Sequence, residues 1–243
     1  MRVPIVCAQC MQEDVASARI VRLAEFSDGN SYEVECDKGH KAVVILQEQK
    51  FEILFDIGAY AIVDGYYREA VSSFTSSLER FFEFFIHANL KEHKIAAANV
   101  MDCWKLVSAQ SERQFGAYIF LYALVTHSAP PVLERKYIEF RNEVIHKGRI
   151  PNREEAIRYG NRVLDIMRAG IATTKQFCPT GFDAMPFENT ISGASRAFEE
   201  GKKSATASVG TIVGLNIAEP THHARTLEEA LAALPDWRKR SQT

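Results

Sequence analysis

Arg141, Asn142 and His146 fall within one run, FRNEVIHKGRIP (residues 140–151), just ahead of a glycine and a proline. A fixed cation, an amide and an imidazole that titrates near neutrality are the parts a phosphodiester cleavage needs when the substrate carries its own nucleophile. RNA is such a substrate, because its 2′-hydroxyl can attack the adjacent phosphorus. In that chemistry His146 serves as acid or base and Arg141 grips the phosphate through paired N–H donors. Asn142, one turn from His146, orients the imidazole or the phosphate. No metal is required.

The same three residues also have ordinary structural readings. Arg141 could pair with Glu143, Asn142 could cap the helix end, and His146 could be satisfied by the last carbonyls of a helix. A helical wheel over residues 133–146 separates two faces. Leu133, Tyr137, Phe140 and Val144 form a core stripe, and Ile138, Arg141, Asn142, Ile145 and His146 gather on roughly the opposite side at about 100° per residue. Two isoleucines beside the polar trio imply a second surface against them. That surface is either a partner or the rest of a bundle in which this helix is central.

A formal net charge of -2 argues against a generic charge-driven nucleic-acid binder. A local excess does exist between Arg141 and Arg168, and Lys147, Arg149 and Arg153 are its members nearest the motif, candidates for RNA contact. The competing reading is a solvated helix face, with Glu154 and Arg158 paired at i,i+4. No glycine-rich phosphate loop, nucleophile elbow or paired-carboxylate constellation points to another enzyme class.

A second constellation stands at the front. Cys7, Cys10, Cys36 and His40 follow the pattern Cys-x2-Cys-x25-Cys-x3-His. Two short chelating turns of this kind suit a tetrahedral Zn²⁺. With four protein ligands no position is left for an activated water, so the zinc would be structural. A hairpin is expected to join the two halves, with Ile20, Val21 and Leu23 going out, a turn at residues 27–30, and Tyr32, Val34 and Cys36 returning. Gly39 in CDKGH suits a positive-φ metal turn. Cys103 and Cys178 have no ligand partners at useful spacing and read as ordinary thiols.

The elements that must carry these residues are mainly helical. In residues 66–85, Val71, Phe74, Leu78, Phe81, Phe82 and Phe85 recur at three- and four-residue intervals, with Phe84 off the stripe as a second contact or an edge residue. Ser111 with Gln114, and Asn152 with Glu155, read as capping boxes. Residues 49–176 are expected to form an antiparallel bundle of five or six helices. It follows a small β zinc module over residues 1–48. Residues 177–243 read as an irregular C-terminal extension of unassigned role, with a strand around residues 207–217, a capped helix at residues 226–234, and His222-His223 in a loop. Hydrophobic content of 47% is ample for a core. The longest apolar runs fall short of the roughly 20 residues that span a bilayer. The N-terminus lacks the apolar stretch and cleavage site of a secretory leader, so a cytoplasmic protein is expected.

Residues 7–40 resemble a zinc ribbon. Residues 50–175, about half the chain, resemble the HEPN superfamily, the higher eukaryote and prokaryote nucleotide-binding domains, through Arg141, Asn142 and His146 as an Arg-polar-x3-His motif. That resemblance implies a helical bundle forming a homodimer through the Arg141/His146 face. It also implies a metal-independent endoribonuclease of host defence, growth arrest or RNA processing, leaving 2′,3′-cyclic phosphate and 5′-hydroxyl ends. Gly148 stands where one branch of the family carries a tyrosine two residues beyond the histidine. Two other readings stay open. One is a non-catalytic RNA- or nucleotide-binding scaffold dimer, the other a toxin-like subunit held by an antitoxin or regulatory partner.

Overall fold

The computed structural model describes residues 2–13, 20–26, 28–215 and 217–234. The chain is mainly helical, with a small amount of sheet, and it forms two compact units. The first unit contains the described residues of 1–49 together with 186–210 and Leu234, the second 50–185 together with the described residues of 211–233.

In the first unit, β1 (Arg2–Val6) pairs antiparallel with β2 (Ile20–Glu25), and the short helix α1 (Ala8–Glu13) lies between them in sequence. Strand β3 (Ser31–Glu35) pairs antiparallel with β4 (Lys41–Leu46), and β4 pairs in parallel with β5 (Ser204–Ala207). This corrects the expected hairpin, because β2 and β3 each have a different ladder partner. The reason lies in β4. Its last four residues, Val43 to Leu46, are all buried, so both faces and both edges must be covered. Val44 and Leu46 pack with Ile5, Tyr32 and Val34 on one face; Val43 and Ile45 pack against Ala197 on the other. Ser27 of the expected turn, and the side chains of Ile20, Val21 and Leu23, lie outside the described residues.

Where five or six helices were expected, the second unit holds six between residues 50 and 177: α2 (Lys50–Val63), α3 (Tyr67–Glu92), α4 (Ala97–Val107), α5 (Ser111–Thr126), α6 (Arg135–His146) and α7 (Arg153–Phe177). The α3 stripe is buried as read, and Phe84 is buried too, between Phe51 and Phe182. Helix α3 is therefore the central rod, covered on more than one side. Its close approach to α7 depends on Gly170, where a Cβ would sit 2.4 Å from the Phe81 ring.

Asn152 opens α7 with a complete capping box, its side chain accepting from the Glu155 N–H while Glu155 accepts from the Asn152 N–H. The box expected at Ser111 does not form. Gln110 holds the cap position, and Gln114 instead accepts from Arg80 and donates to the Ser108 carbonyl. Here a buried tertiary partner outcompetes the local cap.

The described residues from 177 to 234 are not an irregular extension. Helix α8 (Pro179–Glu199) follows α7 almost at once. The strand lies at 204–207, ahead of the expected span, and joins the sheet. Residues 211–215 are held by buried carboxylates of α2: Thr211 Oγ and the Leu215 N–H donate to Glu52, and the Ile212 N–H donates to Asp56. His222 and His223 lie in the short helix α9 (Pro220–Ala224), and His222 Nε2 bonds the Thr211 carbonyl at 2.9 Å. Helix α10 (Leu227–Ala233) is capped by Thr226 and Glu229, as read. Among the described residues no helix is long and apolar enough to cross a membrane.

Candidate functional site

Two clusters of chemistry-bearing residues form, one in each unit. In the first, Cys7 leads into α1, Cys10 lies within it, and Cys36 and His40 close the β3–β4 turn. That turn is shaped by the Gly39 N–H donating to the Cys36 carbonyl at 2.7 Å, with Gly39 at φ +78° as expected. The four ligand atoms all lie within 4.8 Å of one another. Cys10 Sγ is 3.7 Å from Cys36 Sγ and 3.5 Å from His40 Nδ1, and Cys7 Sγ is 3.8 Å from the same nitrogen. A tetrahedral ion with bonds of about 2.3 Å to sulfur and 2.0–2.1 Å to nitrogen requires edges of about 3.8 Å and 3.6 Å. The cluster therefore has the dimensions to hold a metal ion.

Its surroundings fit that use. The outer nitrogen of His40 faces Glu13 at 3.5 Å, and Glu13 also pairs with Lys38 at 3.2 Å, so a carboxylate on α1 orients the imidazole. Burial raises the Cys10 thiol to about 11, helped by hydrogen bonds from its thiol neighbours. Burial also acts upward on Cys36, but the backbone N–H groups of His40 and Lys38 aimed at its sulfur, with the Cys10 and Cys7 thiols, bring it below the ordinary thiol value. Cys103 is exposed. Cys178 is buried, donates to Asn89 Oδ1 at 3.1 Å and is raised to about 11 by burial. Neither belongs to the cluster.

The second cluster is on α6. The core stripe holds in part: Val144 is fully buried and the half-buried Tyr137 and Phe140 pack on Tyr159 of α7, whereas Leu133 lies ahead of α6 and is half-buried. The opposite face carries Ile138, 37% exposed, with Arg141 and Asn142 half-buried and His146 exposed at the last helical position. The helix stops where read: Gly148 takes φ +73° and the Arg149 N–H returns to the Glu143 carbonyl.

Arg141 lines a small cleft of about 110 Å³ between α3, α5, α6 and α7. Its Nε is buried and has no hydrogen-bond partner. Beside it the Tyr159 hydroxyl bonds Thr75 Oγ at 2.8 Å, and Thr75 donates to the Val71 carbonyl, so Tyr159 is the donor of the pair. Burial lifts the Tyr159 phenol to about 12, against the opposing pull of the Thr75 bond and the Arg141 charge. The sequence singled out Arg141 but not Glu79, which lines the same cleft half-buried. Among the described residues the Glu79 side chain forms no ion pair or hydrogen bond, and its charge adds to the upward push on the Tyr159 phenol.

The basic residues downstream are less available than their number implies. Arg149 is clamped between Glu143 and Glu155, Arg153 pairs with Glu228, Arg158 with Glu154, and Arg162 with Glu134. Arg168 donates to the Arg225 carbonyl. Lys147 is exposed and, among the described residues, has no ion-pair partner. Of the three residues read as RNA contacts, Lys147 alone is thus uncommitted. Glu48, Glu52 and Asp56 were also missed. Their signal is acids spaced by four, the last two within the apolar run from Phe51 to Ile57, and they serve to anchor residues 208–215. No family model, curated protein or solved structure matches this chain.

Proposed function

We propose that the protein is a metal-independent endoribonuclease of the HEPN type, acting as a homodimer in the cytoplasm in a defence, toxin or RNA-processing setting. The observation that carries this reading is Arg141. A cation with a buried, partnerless Nε lines an open cleft on the helix that ends in the exposed imidazole of His146. A buried unsatisfied donor costs about 1–3 kcal/mol, and such a group persists where a ligand supplies the missing acceptor. Two α6 faces brought together in a dimer would cover Ile138 and set two histidines about one phosphate. One His146 takes the proton from the 2′-hydroxyl as its oxygen bonds phosphorus. The other gives a proton to the departing 5′-oxygen, and Arg141 carries the charge that builds on the phosphoryl oxygens.

The metal in the Cys7, Cys10, Cys36 and His40 cluster is Zn²⁺ in this reading. It ties α1 to the β3–β4 turn and takes no part in the reaction, since all four positions belong to the protein. The test incubates a mixed RNA pool in chelator with the wild type, Arg141→Ala and His146→Ala. Fragments ending in 2′,3′-cyclic phosphate and 5′-hydroxyl are expected from the wild type only. Activity that needs Mg²⁺, or full activity in His146→Ala, overturns the assignment.

The engagement of Arg149, Arg153, Arg158 and Arg162 by carboxylates favours a second reading, a non-catalytic scaffold dimer, because it leaves few free cations to track an RNA backbone. In that case labelled RNA or nucleotide binds without being cut, and Arg141 substitutions change affinity alone. A regulatory or antitoxin partner is compatible with either reading.

A further inference from the structure

Helix α5 has the composition of a core helix and the neighbours of a surface one. Residues 115–125, FGAYIFLYALV, carry no charge and no amide, and a helix that is apolar on every side belongs in an interior. Yet α5 buries only Gln114, Tyr118 and Tyr122, the stripe that meets α3. On the far side Phe120 and Leu124 are 79% and 64% exposed. At about 100° per residue, Ala117, Phe120 and Leu124 form one stripe with Gly116 at its border. The stripe is graded, small in its first turn and large beyond it. A Cβ at Gly116 would meet nothing within 4 Å, so the small end is an open notch.

We propose that this face binds the same face of a second copy, with the two α5 helices antiparallel about a two-fold axis beside Phe120. Only reversal sets large against small. Leu124 of each copy then lies over Ala117 of the other, and the two Phe120 rings meet at the axis. Charge points the same way. Between Arg113 and His127 no side chain is charged, so a charged partner surface would lose its hydration against hydrocarbon, whereas an identical face has none to lose. Antiparallel packing also opposes the helix dipoles head to tail. It brings Arg113, exposed and donating to the Leu106 carbonyl at 2.8 Å, to the negative end of the partner helix. A 16-residue helix is about 24 Å long and about 10–12 Å across, so the contact covers on the order of 400 Å² per copy. Stable interfaces cover roughly 800 Å² per partner, which makes this pairing weak and concentration-dependent. It is separate from the α6 pairing and does not depend on cleavage; where both form, dimers are linked into larger assemblies.

The experiment uses the full-length chain carrying Ile138→Arg, which removes the α6 pairing, and follows mass against concentration by sedimentation equilibrium. A monomer when dilute that becomes a dimer as concentration rises is expected. Adding Phe120→Asp should raise the midpoint concentration at least about tenfold. Phe120 is exposed, so folding is retained; a thermal melt verifies it. Ala117→Glu and Leu124→Lys should each weaken association alone, yet the two variants should pair with each other when mixed. The introduced carboxylate and ammonium then face each other beside the axis. No association up to about 1 mM chain, well above the Kd range of specific weak complexes, overturns the proposal. So does an equilibrium that Phe120→Asp leaves unmoved, or a mixture of the two charged variants that stays monomeric. The two pairings fail separately. Wild type and Ile138→Arg behaving alike would remove the α6 contact and keep this one, whereas a wild-type dimer insensitive to Phe120→Asp does the reverse.

Discussion

Arg141 is costly to keep where it is, and that cost can be measured. Its partnerless Nε should make Arg141→Met more stable than the wild type by about 1 kcal/mol in chemical unfolding, while cleavage falls at least ~100-fold. A large loss of stability instead would show that the arginine holds the bundle together. Glu48 presents a similar conflict. It is 1% exposed, one oxygen accepts from Ser208 and the Val209 N–H, and the other has no partner. Burial raises its carboxyl above the ordinary range. The folded chain therefore holds that proton more tightly than the unfolded one. Its stabilising contribution is complete below the ordinary carboxylate value and is lost as pH rises through the raised one. Glu48→Gln should accordingly be the more stable protein at neutral pH, with the gap closing as pH falls towards the ordinary carboxylate range in thermal melts. A gap that widens on acidification would refute this. Side chains of this kind were only half legible beforehand. Arg141 stood out because its spacing to His146 has a chemical meaning, whereas Glu79 and Glu48 look like any surface acid until the packing shows what surrounds them.

Elements were legible in proportion to how locally they are determined. Helices α3, α5, α6 and α7 follow from apolar spacing, and the α7 cap from Asn152 and Glu155, because each needs only its own neighbours in sequence. The α5 start was misread because Gln114 is claimed by Arg80 on another helix, a contact that no local rule contains. Strand β5 was misplaced for a similar reason. Ser204–Ala207 is short and made of small residues, and its pairing with β4 is supplied from far along the chain. The metal cluster was readable through ligand chemistry, even though the hairpin invoked to build it was wrong. Four donors at tetrahedral spacing should bind one Zn²⁺ per chain by elemental analysis. Cys36→Ser, or stripping with a strong chelator, should cost the first unit several kcal/mol and unfold α1 and the β3–β4 turn. Hydrogen exchange in those segments that stays unchanged would mean that the cluster needs no ion.

At the scale of the whole molecule, apolar surface is concentrated on helices that lack a full complement of neighbours. Helix α4 buries none of its residues and exposes Met101 and Leu106, α5 exposes Phe120 and Leu124, α6 exposes Ile138, and α8 exposes Phe187, Ile191 and Phe198. A homodimer through α6 should sediment at twice the chain mass, and Ile138→Arg should yield monomers that fold normally and have lost cleavage. Monomeric wild type that still cuts RNA would exclude a shared site. Domain organisation was the least legible feature, since the first unit borrows residues 186–210 from the far end of the chain. That borrowing has a consequence for how the protein is made. The ribosome releases β4 early, yet one side of its backbone waits for Ser204–Ala207, which emerges only after every helix through α8 has been translated. Throughout that interval the most apolar strand of the sheet offers an open edge to any nascent neighbour. A chain cut short before Ser204 keeps that edge for life, so early stop codons should yield insoluble product even when the whole bundle has been synthesised.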